Sequence, residues 1–137
     1  MAFYKILTGS SFYKLASSEA SKSFYENLGY TSSSISDTEA NGLRKETYNI
    51  NQDNSITANS AVDVDISQSE IQEKLNAHIS FVESVIGQHE SPPIEWSDGL
   101  STLKSIDISG LTYPIQAVNW IGALEKNSIT VPLILEL

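Results

Sequence analysis

Ser67-Gln68-Ser69-Glu70-Ile71-Gln72-Glu73-Lys74-Leu75-Asn76-Ala77-His78-Ile79-Ser80-Phe81-Val82-Glu83-Ser84-Val85-Ile86-Gly87 is the most regular segment of the chain. Ile71, Leu75, Ile79, Val82 and Ile86 recur at steps of four, four, three and four, which draws one apolar stripe along a helix. Ser67 and Glu70 have the spacing of a capping box, Glu70 and Lys74 form a favourable i,i+4 pair, and Gly87 supplies a stop. The spacing predicts a helix from about Ser69 to Ile86.

On its N-terminal side, Ala61-Val62-Asp63-Val64-Asp65-Ile66 alternates apolar and acidic residues, as a strand with one buried and one wet face does. Ser55 to Ile66 and Leu43 to Ile50 are expected to form a hairpin around Asn51-Gln52-Asp53-Asn54. Tyr30 to Gly42 is small and polar and closes on Asn41-Gly42, so an exposed loop is expected there. Ser17 to Leu28 reads as a short helix stopped by Gly29, and Ala2 to Thr8 as a first strand.

On its C-terminal side, Pro92-Pro93 breaks the chain inside a stiff acidic loop, Glu90 to Gly99, whose Trp96 is most simply a cap on the core. Leu103 to Ile108 is expected as a strand, Pro114 to Lys126 as a helix opened by its proline, and Ile129 to Leu137 as an apolar last strand with Pro132 favouring an edge. The sum is an α+β fold over residues 1–137, one globular domain. It is expected to be mainly antiparallel sheet around the central helix, with one or two shorter helices.

A chain of 137 residues with 40% hydrophobic content has material for one core. There is no cysteine, which excludes disulfides, thiolate nucleophiles and cysteine-ligated metals. No stretch approaches the eighteen or so apolar residues of a membrane span, and Met1 to Ala16 lacks the apolar run of a secretion signal. A cytosolic origin is therefore expected.

Charge is uneven. Residues 1–62 hold five basic and six acidic side chains, residues 63–137 three basic and eleven acidic, within a net charge of −9. That balance repels phosphate and gives no footprint for nucleic acid. The seven glycines are scattered singly, so neither common nucleotide loop is present.

Catalytic and metal patterns are equally thin. Asp63 and Asp65 share a strand face, but a solvated face that discourages stray pairing explains them more simply. Asn51, Asp53 and Ser55 imitate the start of a calcium loop, yet Ile56 and Val62 stand where glycine and glutamate are needed. His78 and His89 are eleven residues apart and make no metal pair, and no Gly-x-Ser-x-Gly elbow supports a serine nucleophile. No cofactor, metal or catalytic residue is expected.

What remains points to contact. Phe3-Tyr4, Phe12-Tyr13 and Phe24-Tyr25 repeat an aromatic pair, for which the simpler explanation is one ring buried and one exposed. The sharper expectation makes Phe3, Tyr4, Phe12 and Tyr13 contact aromatics, Trp96 an anchor, and Leu133 and Leu135 part of a terminal strand that pairs or packs with a neighbour. The expected function is that of a non-enzymatic structural or assembly protein, a homo-oligomer or part of a larger protein assembly, with no nucleic-acid or membrane partner. A bacteriophage head, neck, baseplate or tail is one such setting, which would carry the chain into a virion. The alternative is a small acidic inhibitor that fills the basic groove of a target through Asp63, Asp65, Glu70, Glu73 and Glu83.

Overall fold

A computed structural model describes residues 3–7, 13–51, 53–132 and 134. They form two compact units, the first made by the residues up to Asn59 and the second running from Ser60 to Ile134. The α+β class holds: five helices and three small antiparallel sheets occur among the described residues.

The first unit is built on a three-stranded sheet of order β2-β1-β3, with β1 at Phe3–Leu7, β2 at Tyr13–Ala16 and β3 at Thr31–Ile35. Alternation sends Tyr4 and Ile6 of β1 to one face, where they pack with Ala16 and with Tyr25 of helix α1, Glu19–Asn27. Ser18 caps α1 by accepting from the Ser21 N–H, and Gly29 (φ 93°) leaves it in the left-handed region that only glycine enters freely. Tyr30 then folds back and stacks on the Tyr25 ring at 5.6 Å.

The expected loop over Tyr30 to Gly42 is instead β3 followed by helix α2, Asp37–Arg44. β3 has almost no apolar signal of its own, and its main chain is held by β1 in the register Tyr4↔Ser34 and Ile6↔Ser32. α2 is opened by a full capping box: the Glu39 N–H donates to Ser36 Oγ at 3.1 Å and the Ser36 N–H to Glu39 Oε1 at 3.2 Å. Asn41-Gly42 lies inside this helix, where the ring of Tyr48 takes the space of a side chain at position 42.

Leu43 and Arg44 complete α2 rather than opening a strand, so the hairpin is shorter than expected. β4 is Tyr48–Ile50 and β5 Ile56–Ala58, paired Tyr48↔Ala58 and Ile50↔Ile56. Asp53 Oδ1 accepts from the Ser55 N–H at 3.0 Å and from Ser55 Oγ at 2.6 Å, and Asn54 has φ 70°. The false calcium ligands are turn builders. Lys5 projects to the face of β1 opposite Tyr4, is almost fully buried, and donates to the Asn54 carbonyl. Asn59 donates from its backbone to the Thr47 carbonyl and from its side chain to that of Glu46, which ends β5 and splits the expected Ser55 to Ile66 strand.

The second unit opens with β6, Val64–Ile66, and the central helix α3, Gln68–Gln88. Ser67 caps α3 by accepting from the Glu70 N–H at 3.1 Å. Ile71, Leu75, Val82 and Val85 are its buried residues, each contributing about 1.5–3 kcal/mol on burial. The helix runs through Gly87, one residue beyond the expected stop.

Helix α4, Ile94–Ser105, follows Pro92-Pro93 directly. It replaces both the expected loop over Glu90 to Gly99 and the first half of the expected Leu103 to Ile108 strand. Trp96, Gly99 and Leu103 form its buried line at helical spacing, and α4 packs against α3. Gly99 admits Ile134, whose Cδ1 stands 2.6 Å from where a Cβ would be.

Pro114 opens no helix. Its peptide bond is cis, and strand β7, Ile115–Ala117, follows, paired with β6 as Val64↔Ala117 and Ile66↔Ile115. Helix α5 is the shorter segment Trp120–Lys126, capped by Asn119 Oδ1, which accepts from the Gly122 N–H at 3.1 Å. Residues 129–132 and 134 are not in a strand, with Val131 and Ile134 buried; the rest of the expected terminal strand lies outside the described residues.

Candidate contact surfaces

Of the seven residues expected to make contacts, the structure describes the side chains of three, Tyr4, Tyr13 and Trp96. Phe12, Leu133 and Leu135 lie outside the described residues, and Phe3 is described only as part of β1. Tyr4 is core, 8% exposed, and Trp96 is core at 2%. Trp96 meets the ring of His89 edge-on at 4.8 Å, as a residue that closes the α3–α4 contact. Tyr13 remains on the surface, on the sheet face of Lys5. Partial burial and the nearby Glu46 charge raise its phenol above the ordinary tyrosine range.

In the first unit, the exposed apolar residues that sequence reasoning missed are Phe24 and Leu28, 48% and 58% exposed. They are four residues apart at the end of α1, and Phe24 meets the buried Tyr25 ring edge-on at 5.4 Å. The adjacent Phe24 and Tyr25 are about 100° apart around the helix, so only one can face the sheet. Tyr25 takes that place and Phe24 turns outward, as the simpler explanation of the aromatic pairs expects.

A charged patch lies on the other flank of α1, with the buried Ser21 and Tyr25 between it and the ridge. Lys22 lies 3.9 Å from Glu19 and 3.8 Å from Glu26, and its ammonium sits 4.9 Å from the centre of the Tyr4 ring. Tyr4 donates its hydroxyl hydrogen to Glu19, and that bond, with burial, raises the phenol above its usual range. Lys14 lies 5.7 Å from the centre of the Tyr25 ring.

In the second unit, His78 lies 6.1 Å from both Phe81 and Trp120, forming a partly exposed aromatic row between α3 and α5. Val62 is 76% and Val64 52% exposed, although the sequence alternation places them with the buried Ile66. β6 is flanked by only three residues of β7, too short a sheet to cover Val64.

Each aspartate beside these valines has a donor from the same unit. Lys126 Nζ is 2.9 Å from Asp63 Oδ2, and Gln116 Nε2 donates to Asp65 Oδ1 at 3.2 Å. Of the five carboxylates expected to serve an acidic inhibitor, Asp63 is paired with Lys126 and Glu83 with Lys104, the latter at 3.8 Å.

Among the described residues, no three histidine or carboxylate side chains converge to hold a metal, and no helix is long and apolar enough to cross a membrane. Comparison of the chain with protein-family models, curated proteins and solved structures finds no match.

Proposed function

We propose that this protein works by contact, as a structural component that associates with other protein subunits, its own copies included, and catalyses no reaction. The observation that carries this reading is the Phe24–Leu28 ridge on α1, two large apolar side chains one turn apart and about half exposed. Paired apolar residues on a short helix gain roughly 25 cal/mol for each Å² they remove from water when a partner covers them. Aromatic residues of this kind are enriched in the cores of protein interfaces.

Light scattering on the purified chain over a wide concentration range, at low and high salt, tests it. A discrete oligomer that persists in high salt and is lost in Phe24→Ser/Leu28→Ser, with far-UV circular dichroism unchanged, supports an apolar self-contact. An oligomer indifferent to both substitutions, or a monomer at every concentration, removes the self-associating form of the proposal.

A further inference from the structure

We propose that the outer edge of β6 accepts an added strand from a basic partner protein, one whose side chains alternate Lys or Arg with apolar residues. Among the described residues β6 is hydrogen-bonded only to β7, so its other edge presents unpaired main-chain groups. Such an edge is a template for strand addition, in which the main chain gives affinity and alternate side chains give specificity.

The side chains of this segment define the occupant. Val62 and Val64 are exposed apolar residues that alternate with Asp63 and Asp65. The unit already shows how this acidic row is satisfied from the β7 side: Lys126 reaches Asp63 at 2.9 Å, and Gln116, opposite Asp65 in the register, donates to it at 3.2 Å. Both contacts are solvent-exposed, which leaves the carboxylate lone pairs free to take further donors. A strand on the open edge would complete the pattern with Lys or Arg over the aspartates and apolar residues against the valines.

Charge excludes the other obvious occupant. A second copy pairing edge to edge would set Asp63 and Asp65 against their own equivalents, and like charges directly opposite oppose pairing. The unit as a whole favours cations, with ten acidic and three basic side chains between Ser60 and Ile134. Two of those three lysines are engaged, Lys104 with Glu83 and Lys126 with Asp63. This inference uses a different surface from the α1 ridge, so each stands or falls without the other.

The test uses the full chain and a blocked peptide of about seven residues alternating lysine with valine, long enough to span β6 and the residues before it. Binding is followed by fluorescence anisotropy, and amide exchange is read residue by residue by NMR. The expected result is saturable binding that slows exchange within residues 62–66 and weakens with salt. In Asp63→Asn/Asp65→Asn, affinity should fall roughly three- to ten-fold. A twin peptide N-methylated on the edge-facing amides should bind markedly less, because it cannot complete the ladder.

Equal binding by the methylated twin, or by a peptide with glutamate in place of lysine, overturns the proposal. So does unchanged exchange within residues 62–66. Protection of those amides that appears in the free protein as its concentration rises would assign the edge to a second copy and overturn it as well.

Discussion

The ring of Tyr48 lies where a side chain at Gly42 would stand: a Cβ there would fall 2.7 Å from Cε2 and 2.8 Å from Cγ, with Cδ2 closer still. A β-strand residue thereby packs against the backbone of α2 at a glycine within the helix. Gly42→Ala gains about 1 kcal/mol of helix propensity, yet overpacking against an aromatic ring costs typically 1–3 kcal/mol. The variant should be less stable to urea than the parent, and adding Tyr48→Ala should recover part of the overpacking loss. Additive effects in that double-mutant cycle would refute the contact.

The capping box of α2 carries a separate expectation. Ser36→Ala removes the acceptor for the Glu39 N–H and should lower the stability of the first unit by about 1 kcal/mol. Ser36→Asp, which keeps an acceptor and places charge at the helix start, should restore most of it. Near-ultraviolet circular dichroism of the tyrosines reads both.

Asp107 gives the second unit a pH dependence of known sign. Its carboxylate accepts from Ser109 Oγ at 2.7 Å and from the Ser109 N–H at 3.0 Å, and these bonds hold it below the usual carboxylate range. A carboxylate with a depressed folded pKa stabilises the fold above its unfolded pKa, and the contribution is lost as pH falls through the folded value. Asp107→Asn should therefore lower the melting temperature near neutral pH, and the two proteins should converge once the pH has fallen below the folded value. A constant difference across the titration would remove Asp107 as the source. Asp53 predicts the same for the first unit through Ser55.

Trp96 and Ile94 lie two residues apart on α4 and should respond in opposite ways. Trp96→Ala empties a fully buried site and should cost about 3–5 kcal/mol, whereas Ile94→Ser, at a site 68% exposed, should stay within about 0.5 kcal/mol. Comparable losses for the two would contradict the burial of Trp96.

Helix α3 was legible in the sequence because its apolar stripe is long enough for periodicity alone to identify it. The hairpin around Asp53 was legible for a local reason as well, since Asn51, Asp53 and Asn54 make the turn themselves. β3 was not, because Thr31-Ser32-Ser33-Ser34-Ile35 is a strand only through its bonds to β1. α4 was hidden by the prolines before it and by the glycine in its buried line, which becomes visible only once Ile134 is seen filling the space above Gly99.

Which ring of an aromatic pair faces inward was hidden for a related reason. Adjacent aromatic residues announce that one ring is inside, but which one depends on a distant partner. Tyr25 is buried because Tyr30 stacks on it, and that leaves Phe24 for the surface. Capping boxes are the exception that sequence reasoning could have used: Ser36-Asp37-Thr38-Glu39 has the same spacing as Ser67 and Glu70 and marks α2 just as clearly.

The boundary at Asn59 and Ser60 sorts the chromophores of this chain. Both tryptophans, Trp96 and Trp120, belong to the second unit, while Tyr4, Tyr13, Tyr25, Tyr30 and Tyr48 belong to the first and only Tyr113 to the second. Excitation at the red edge, where indole alone absorbs, therefore reads residues 60–134 and is blind to the rest. Phenol absorbance is weighted five to one toward the other unit. The unmodified protein thus carries a separate optical label on each unit, and a single denaturation series recorded at two wavelengths reports how far the melting of one follows the other.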